Sequence, residues 1–248
     1  DNDGSRPGYA TGAAGCEREI AKGVVASVHY SDGLSGFASE PVECVNYVSC
    51  HDNLTLWDKI ARSNAFDSKD DRISMDLLAQ AIVLTSQGIP FLEGGAELLR
   101  TKRGCHNSYR AGDQVNQFEW WRKQEFGEVF DYYRGLIELR RAHPAFRMTT
   151  AAQVRSALKF MQGPPNVIRF ELDGNACGDE WGSIVVIYNA NRHDVEATLP
   201  TPGRWSIVVA GRQAGTVPLD DAAYMVKDEA GDDARVRVPA ISAMVLHS

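Results

Sequence analysis

The chain has 248 residues, of which 44% are hydrophobic and 24% are charged, and its formal net charge is −7. This composition is typical of a globular protein with a substantial core rather than of a disordered chain. Because Lys and Arg residues are scattered and the net charge is negative, we expect no nucleic-acid partner. No apolar run approaches the roughly 18 residues of a membrane span, and the first residues are unlike a signal peptide. We therefore expect a soluble protein without a membrane partner, with the cytoplasm favoured over secretion.

The cysteines indicate neither a disulfide scaffold nor a zinc site. They are odd in number and lack any CxxC spacing, so free thiols are expected. No dense set of Asp and Asn residues has the spacing of a calcium loop, so we predict no metal and no cofactor. The cysteines are Cys16, Cys44, Cys50, Cys105 and Cys177.

The first forty residues predict mostly loop, with one helix over residues 17–29. Residues 44–50 form a short, β-branched and nearly continuous apolar run, which is typical of a parallel strand buried on both faces. Polar residues follow this strand at once, beginning with His51 and Asp52. The end of a predicted strand is therefore the first place to look for a functional site.

Residues 71–87 have apolar side chains at helical spacing, with Gly88 at the position where a helix stops. A second buried strand is predicted over residues 89–92, and a polar and aromatic loop over residues 94–123. The next helix is expected to end at the His-Pro pair of residues 143–144. Its apolar face should consist of Phe126, Phe130, Tyr133 and Ile137.

Beyond residue 145 the pattern changes to short β-branched runs separated by Gly, Pro and Asn, which predicts an antiparallel β-sandwich. The order of elements therefore indicates an α/β domain over residues 1–145 and a β-sandwich domain over residues 146–248. A complete (β/α)8 barrel needs about 250 residues, so the α/β domain is expected to be part of a barrel. The predicted strands cover residues 167–172, 183–188, 196–199, 205–209, 236–238 and 243–246. Trp181 and Trp205 lie in or beside them and should be core residues.

His51 and Asp52 have two possible roles. At the carboxyl end of a barrel strand, a carboxylate beside an imidazole can hold sugar hydroxyls and stabilise positive charge at an anomeric carbon. Alternatively, Asp52 or Asn53 caps a helix that begins near Leu54. Spacing alone favours the cap.

Residues 45–58 (VNYVSCHDNLTLWD) resemble the fourth signature region of the α-amylase superfamily, in the form typical of type I pullulanases. Three further segments agree with this resemblance in the same order: residues 87–91 (QGIPF), residues 98–102 (LLRTK), and residues 106–109 (HNSY) followed by Asp113, Asn116 and Trp120. The resemblance extends from about residue 23 to residue 141. It favours the catalytic interpretation of His51 and Asp52 over the cap.

The resemblance implies a fold and a set of roles. The fold is the C-terminal part of a (β/α)8 TIM barrel, with strands seven and eight, followed by the β-sandwich. Asp52 would stabilise an oxocarbenium-like transition state, and His51 would bind hydroxyls of the same sugar. The implied substrate is an α-glucan such as pullulan, glycogen or a limit dextrin, cleaved at α-1,6 linkages with retention. The implied substrate-binding residues are Asn53, Asn107, Tyr109 and Asp113.

No segment resembles the family's nucleophile or acid signature, and both are expected to precede residue 1. Glu93 and Glu97 are the replacements by position, but structural roles are expected for them. The chain alone should therefore be inactive, because a retaining glycosidase needs both carboxyl groups. Two alternatives remain open: a non-catalytic α-glucan-binding protein, and another activity of the superfamily, namely that of an isoamylase, a branching enzyme or an α-amylase.

Overall fold

A computed structural model describes residues 4–227, 231 and 233–248. The first part of the chain is mainly helical and the second part is mainly strands. The helices are α1 (Glu17–Val24), α2 (Leu56–Ser63), α3 (Lys69–Thr85), α4 (Asp113–Asn116), α5 (Arg122–Glu125), α6 (Gly127–Ala142), α7 (Ala151–Ala157) and α8 (Gly174–Cys177). The strands are β1 (Val45–Asn46), β2 (Ile89–Pro90), β3 (Leu158–Met161), β4 (Val167–Asp173), β5 (Ser183–Asn189), β6 (Val195–Thr198), β7 (Ser206–Ala210), β8 (Gln213–Ala214), β9 (Met225–Lys227), β10 (Asp233–Val238) and β11 (Ser242–His247).

Helix α3 is the central helix of the molecule. It begins after Ser68, whose side chain accepts a hydrogen bond from the Asp71 amide over 3.0 Å. Acidic residues in its first turn interact favourably with the helix dipole. The helix predicted over residues 71–87 is thus confirmed, with both ends shifted by two residues. Its core side chains lie on more than one face because other elements surround it: Ile73, Met75, Leu77, Leu78, Ala81 and Leu84.

Strands β1 and β2 pair in parallel, with Val45 opposite Ile89 and Asn46 opposite Pro90. The prediction that these strands are buried on both faces is wrong for this chain: Val45 is 49% exposed and Ile89 is 46% exposed. Within the described residues neither strand pairs with a third strand. The face of the pair that carries Val45 and Ile89 is therefore largely open to solvent in this structure.

The predicted antiparallel sandwich is confirmed. One sheet has the strand order β3-β4-β5-β11-β7-β8 and the other has the order β6-β10-β9. An apolar cluster that includes Trp205, Val185 and Val236 fills the space between the two sheets. Trp181 is also buried, so both tryptophans are core residues as expected. Strands β3, β8 and β9 were not predicted, because each has four residues or fewer, which is too short for a clear periodic signal.

The larger sheet is buried on both faces, because α3 packs on the side that faces away from β6, β9 and β10. The Thr85 and Tyr188 hydroxyls lie 2.5 Å apart across this contact. Helix α6 lies against β8, and one apolar core continues across residue 145. The division into domains over residues 1–145 and 146–248 stays a prediction. In this structure the two stretches of chain share one extensive apolar contact.

Two smaller expectations are corrected by the packing. The helix predicted over residues 17–29 ends at Val24. On α6 the predicted apolar face is correct for Phe126 and Tyr133, which are buried, but wrong for Ile137, which is exposed. The buried face also includes Val129, Tyr132, Leu136 and Leu139.

All five cysteines are free thiols, as predicted, although only Cys44 is buried. Among the residues that the structure describes, none of the helices is both long and apolar enough to cross a membrane.

Candidate functional site

His51 and Asp52 lie in the loop between β1 and α2. Helix α2 begins at Leu56, and its cap is Thr55, whose hydroxyl accepts a hydrogen bond from the Asp58 amide over 3.2 Å. Neither Asp52 nor Asn53 caps this helix, so the capping alternative is wrong. The backbone of Asn53 is left-handed, with φ at +62°, a conformation that asparagine tolerates better than most residues. Because Thr55 caps the helix, the side chains of His51 and Asp52 are not engaged at its N-terminus and project into solvent.

The side chains of His51 and Asp52 form an exposed pair. His51 Nε2 lies 3.4 Å from Asp52 Oδ1, and the two side chains are 88% and 73% exposed. Because both are solvated, their mutual attraction adds little stability. Their open hydrogen-bonding capacity is available to a ligand.

The backbone of this loop is held by the segment that follows β2. The buried Lys102 side chain donates to the His51 carbonyl oxygen over 2.8 Å and lies 3.5 Å from the Asn53 carbonyl oxygen. The Asp58 carboxylate in turn accepts hydrogen bonds from the Lys102 amide over 2.7 Å and from the Thr101 hydroxyl over 2.5 Å. Helix α2 and residues 98–102 therefore fix the position from which His51 and Asp52 project.

A polar cavity of about 510 Å³ opens beside this pair. It brings together four of the predicted site residues: His51, Asp52, Asn107 and Tyr109. The side chains of Asn53 and Asp113 do not line it. The cavity is completed by Arg100, Lys102, His106, Ser108 and Asn116.

The loop around Asn107 and Tyr109 is held by hydrogen bonds that the sequence did not predict. Asn116 donates to the Ser108 carbonyl oxygen over 2.7 Å, and Arg100 donates to the Asn116 carbonyl oxygen over 2.9 Å. Tyr109 is 73% exposed and is available to a ligand ring on the cavity side. Arg100 and His106 were not predicted as site residues. In the sequence, only the resemblance of residues 98–102 and 106–109 to the family's segments pointed to them.

Glu93 and Glu97, the two replacements considered for the catalytic carboxylates, do not share this cavity. Glu93 is buried, with Oε1 3.7 Å from Arg100 Nη1. Burial raises the pKa of Glu93, while the positive charges of Lys102 and Arg100 oppose the shift. Glu97 accepts a hydrogen bond from the Gly95 amide over 3.0 Å and lines a separate groove beside Phe130.

The donor atoms of Cys50, His51 and Asp52 all lie within 4.8 Å of one another. A thiolate, an imidazole and a carboxylate are the donors that zinc accepts. These three residues are consecutive, with Cys50 half-buried and the other two exposed. The described Cys, His, Asp and Glu side chains do not supply the remainder of a tetrahedral shell. The absence of a metal stays a prediction from the sequence.

The cavity combines charged donors, amides, an imidazole and an exposed phenol, a mixture suited to a neutral ligand with many hydroxyl groups. A family model described as "Pullulanase, all-beta domain" matches residues 154–213. A pullulanase from Bacillus subtilis (strain 168) is 39% identical over 194 residues, which cover 77% of this chain and 27% of the relative.

Solved structures agree with these sequence comparisons. A pullulanase from Bacillus acidopullulyticus superposes with a TM-score of 0.89 at 47% identity, covering 99% of this chain and 28% of that one. A mutant pullulanase from Paenibacillus barengoltzii, solved in complex with maltotetraose, has a TM-score of 0.88 at 40% identity, covering 98% of this chain and 36% of that one.

The relatives that this chain matches are glycoside hydrolases, namely pullulanases and an isoamylase. Over nearly its whole length, the chain matches one part of the pullulanases. It spans about a quarter of the length of the Bacillus subtilis relative.

Proposed function

We propose that this chain supplies the transition-state-binding part of a debranching active site that cleaves α-1,6 linkages in an α-glucan such as pullulan, glycogen or a limit dextrin. The observation that carries the proposal is the cavity shared by His51, Asp52, Asn107 and Tyr109. These residues come from two loops that are distant in sequence. Their convergence on one polar cavity supports a common ligand.

Asp52 is the residue that stabilises the reacting sugar. Its carboxylate accepts hydrogen bonds from vicinal hydroxyls and opposes the positive charge that develops at the anomeric carbon. His51 binds hydroxyls of the same sugar, and Lys102 positions His51 through its backbone carbonyl oxygen. Asn107 and Tyr109 bind the glucan on the other side of the cavity.

The nucleophile and the general acid belong to a part of the enzyme outside this chain. A retaining glycosidase places these carboxyl groups about 5 to 5.5 Å apart across the glycosidic bond. Glu93 is buried against Arg100 and Glu97 lines a different groove, so this pair does not meet the requirement. The chain alone therefore has no hydrolytic activity.

The parent protein carries the rest of a (β/α)8 barrel, of which β1 and β2 are strands seven and eight. The parallel pairing of the two strands across α2 and α3 supports this assignment, as do their exposed outer surfaces. Residues 1–145 then belong to the barrel domain and residues 146–248 form the sandwich domain. Asn53 and Asp113 remain predicted substrate-binding residues, and their contribution depends on this larger assembly.

The proposal is tested by titrating the chain with maltotetraose and by assaying pullulan for released reducing ends. We expect weak binding, a loss of about tenfold or more in affinity for Asp52→Ala and for Tyr109→Ala, and no reducing-sugar release. Asp131→Ala is the matched control, because Asp131 is an exposed aspartate on α6, outside the cavity.

Two results would contradict the proposal. Unchanged maltotetraose binding in both cavity variants would place the sugar site elsewhere, as in a glucan-binding sandwich. Pullulan hydrolysis that disappears in Asp52→Ala would show that the chain contains its own nucleophile and acid.

A further inference from the structure

Three side chains form a stack beside the cavity. The Arg100 guanidinium carbon lies 4.2 Å from the centre of the Phe118 ring. The Phe118 and Trp120 rings lie 5.2 Å apart at an angle of 17°. Trp120 is the outermost member and is 68% exposed, which is unusual for so large an apolar side chain.

Gly95, Asn116 and Glu93 hold the inner part of the stack in place. A Cβ atom on Gly95 would lie 2.9 Å from the Phe118 ring and 2.8 Å from Arg100, so both side chains rest against this glycine. Arg100 is held by its hydrogen bond to the Asn116 carbonyl oxygen and by its proximity to buried Glu93. Phe118 and Arg100 therefore limit the motion of the Trp120 ring. A ligand that stacks on this ring would cost little further side-chain entropy.

The stack adjoins the cavity. Arg100 lines the cavity together with His51 and Asp52, and it also lies under Phe118. Asn116, on the cavity wall, precedes Phe118 by two residues. A ligand longer than one sugar unit can therefore extend from the cavity across Arg100 towards Trp120.

We propose that Trp120 is a stacking platform for a second glucose unit of the α-glucan that occupies the cavity; this inference rests on the proposed function. A pyranose ring presents an apolar face of C–H groups and a rim of hydroxyls. The indole of Trp120 offers a matching flat apolar surface. The neighbouring Glu119 and Arg103, whose charged groups lie 3.8 Å apart, offer polar partners for the rim.

The occupant is a sugar rather than a protein segment because the exposed Trp120 ring has charged neighbours, Glu119 and Arg103, which suit the hydroxyl rim of a sugar better than apolar side chains. Trp121 does not belong to the platform: its ring faces Arg122, with the guanidinium carbon 5.6 Å from the ring centre. Phe66 is fully exposed and forms none of the ring contacts found in the stack, so it is a matched control for an exposed aromatic side chain.

The test compares two ligand lengths on the full chain. Maltotetraose and glucose are each titrated against the wild-type chain, Trp120→Ala, Trp120→Phe and Phe66→Ala. Binding is followed by the indole N–H signals in NMR spectra. The Trp120 signal is assigned by its loss in Trp120→Phe. Thermal unfolding of each variant checks that it is folded, which is expected because Trp120 is largely exposed.

We expect Trp120→Ala to weaken maltotetraose binding by about three- to tenfold, the range expected for one aromatic stacking contact. Glucose binding should not change, because a single glucose unit fills only the cavity. Trp120→Phe should retain most of the maltotetraose affinity, and Phe66→Ala should retain all of it.

The outcomes separate the platform from the proposed function. If Tyr109→Ala weakens maltotetraose binding but Trp120→Ala does not, the platform is refuted and the cavity stands. If Trp120→Ala weakens binding while Tyr109→Ala and Asp52→Ala do not, the platform stands and the proposed function fails. If maltotetraose shifts no indole signal and binds no variant, both are refuted.

Discussion

The Lys102 ammonium group donates a hydrogen bond to the backbone carbonyl oxygen of His51 over 2.8 Å. Lys102 is 3% exposed, so this is a buried charged donor bound to a neutral acceptor. The contact joins the segment that follows β2 to the loop that follows β1. The position of His51 and Asp52 therefore depends on a residue that does not itself have to touch the sugar.

Replacing Lys102 by methionine should weaken both the fold and the sugar site. The variant keeps the length of the side chain but leaves the His51 carbonyl oxygen without its donor, at a cost of about 1–3 kcal/mol in the free energy of unfolding. Urea denaturation measures this loss, and maltotetraose titration should show weaker binding. Lys159→Met is the control: Lys159 is exposed on β3, and its replacement should change stability by less than about 0.5 kcal/mol. Equal stabilities of the two variants would refute the positioning role.

Two glycines on α6 should respond in opposite ways to alanine. A Cβ atom on Gly135 would lie 1.9 Å from the Ala214 carbonyl oxygen of β8, whereas a Cβ atom on Gly127 would meet nothing within 4 Å. Gly135→Ala should cost about 2 kcal/mol or more, because the helix must move away from the strand. Gly127→Ala should be neutral or slightly stabilising, because alanine favours helix. Thermal unfolding compares the two, and a tolerated Gly135→Ala would contradict the close packing of α6 on the sandwich.

Much of the fold could be predicted from the sequence because its elements carry strong periodic signals. Helix α3 has long apolar periodicity, strand β4 alternates apolar and charged residues from Ile168 onwards, and strands β5 and β11 are nearly continuous apolar runs. The burial of β1 and β2 was overpredicted for a physical reason. A parallel strand is buried by its neighbours, and the described residues contain no further strand that pairs with these two.

The site was predicted only in part. His51, Asp52, Asn107 and Tyr109 followed from segments that resemble a family, and the structure brings these four residues to one cavity. The supporting contacts of Lys102 are long-range: its partner His51 lies 51 positions away in the sequence. No local pattern encodes such a contact. The contact between Arg100 and Phe118 was missed for the same reason.

The Asp179 carboxylate should be important for the junction after α6. It accepts hydrogen bonds from the buried His143 imidazole over 2.8 Å, from the Ala145 amide over 3.1 Å and from the Trp181 amide over 3.1 Å. Asp179→Ala would leave these buried donors unpaired, at a cost of about 3–5 kcal/mol. Asp179→Asn keeps one acceptor oxygen and should cost less. Glu180→Gln, at the exposed neighbouring position, should have little effect in the same urea denaturation measurement, and a harmless Asp179→Ala would contradict this account.

Asp76 should make the stability of the chain depend on pH. It is buried between α3 and α6, where the Tyr133 hydroxyl donates to Oδ1 over 2.7 Å. Burial raises the pKa of Asp76 to about 7, against 3.8 for an ordinary aspartate. The folded chain therefore binds the proton more tightly than the unfolded chain does. The contribution of this group to stability is complete below about pH 4, falls as the pH rises to about 7, and is constant above that.

The variant Asp76→Asn removes this titration while keeping an acceptor for Tyr133. As the pH rises from 5 to 7, the unfolding free energy of the wild-type chain should fall relative to that of Asp76→Asn. The expected fall is on the order of 1 kcal/mol per pH unit. Urea denaturation at pH 5, 6, 7 and 8 measures it. Asp131→Asn, on the exposed face of α6, is the matched control. Its unfolding free energy should depend on pH in nearly the same way as that of the wild-type chain. Because other titrating groups are common to both proteins, parallel curves for Asp76→Asn and the wild-type chain would mean that Asp76 is ionised in the folded state.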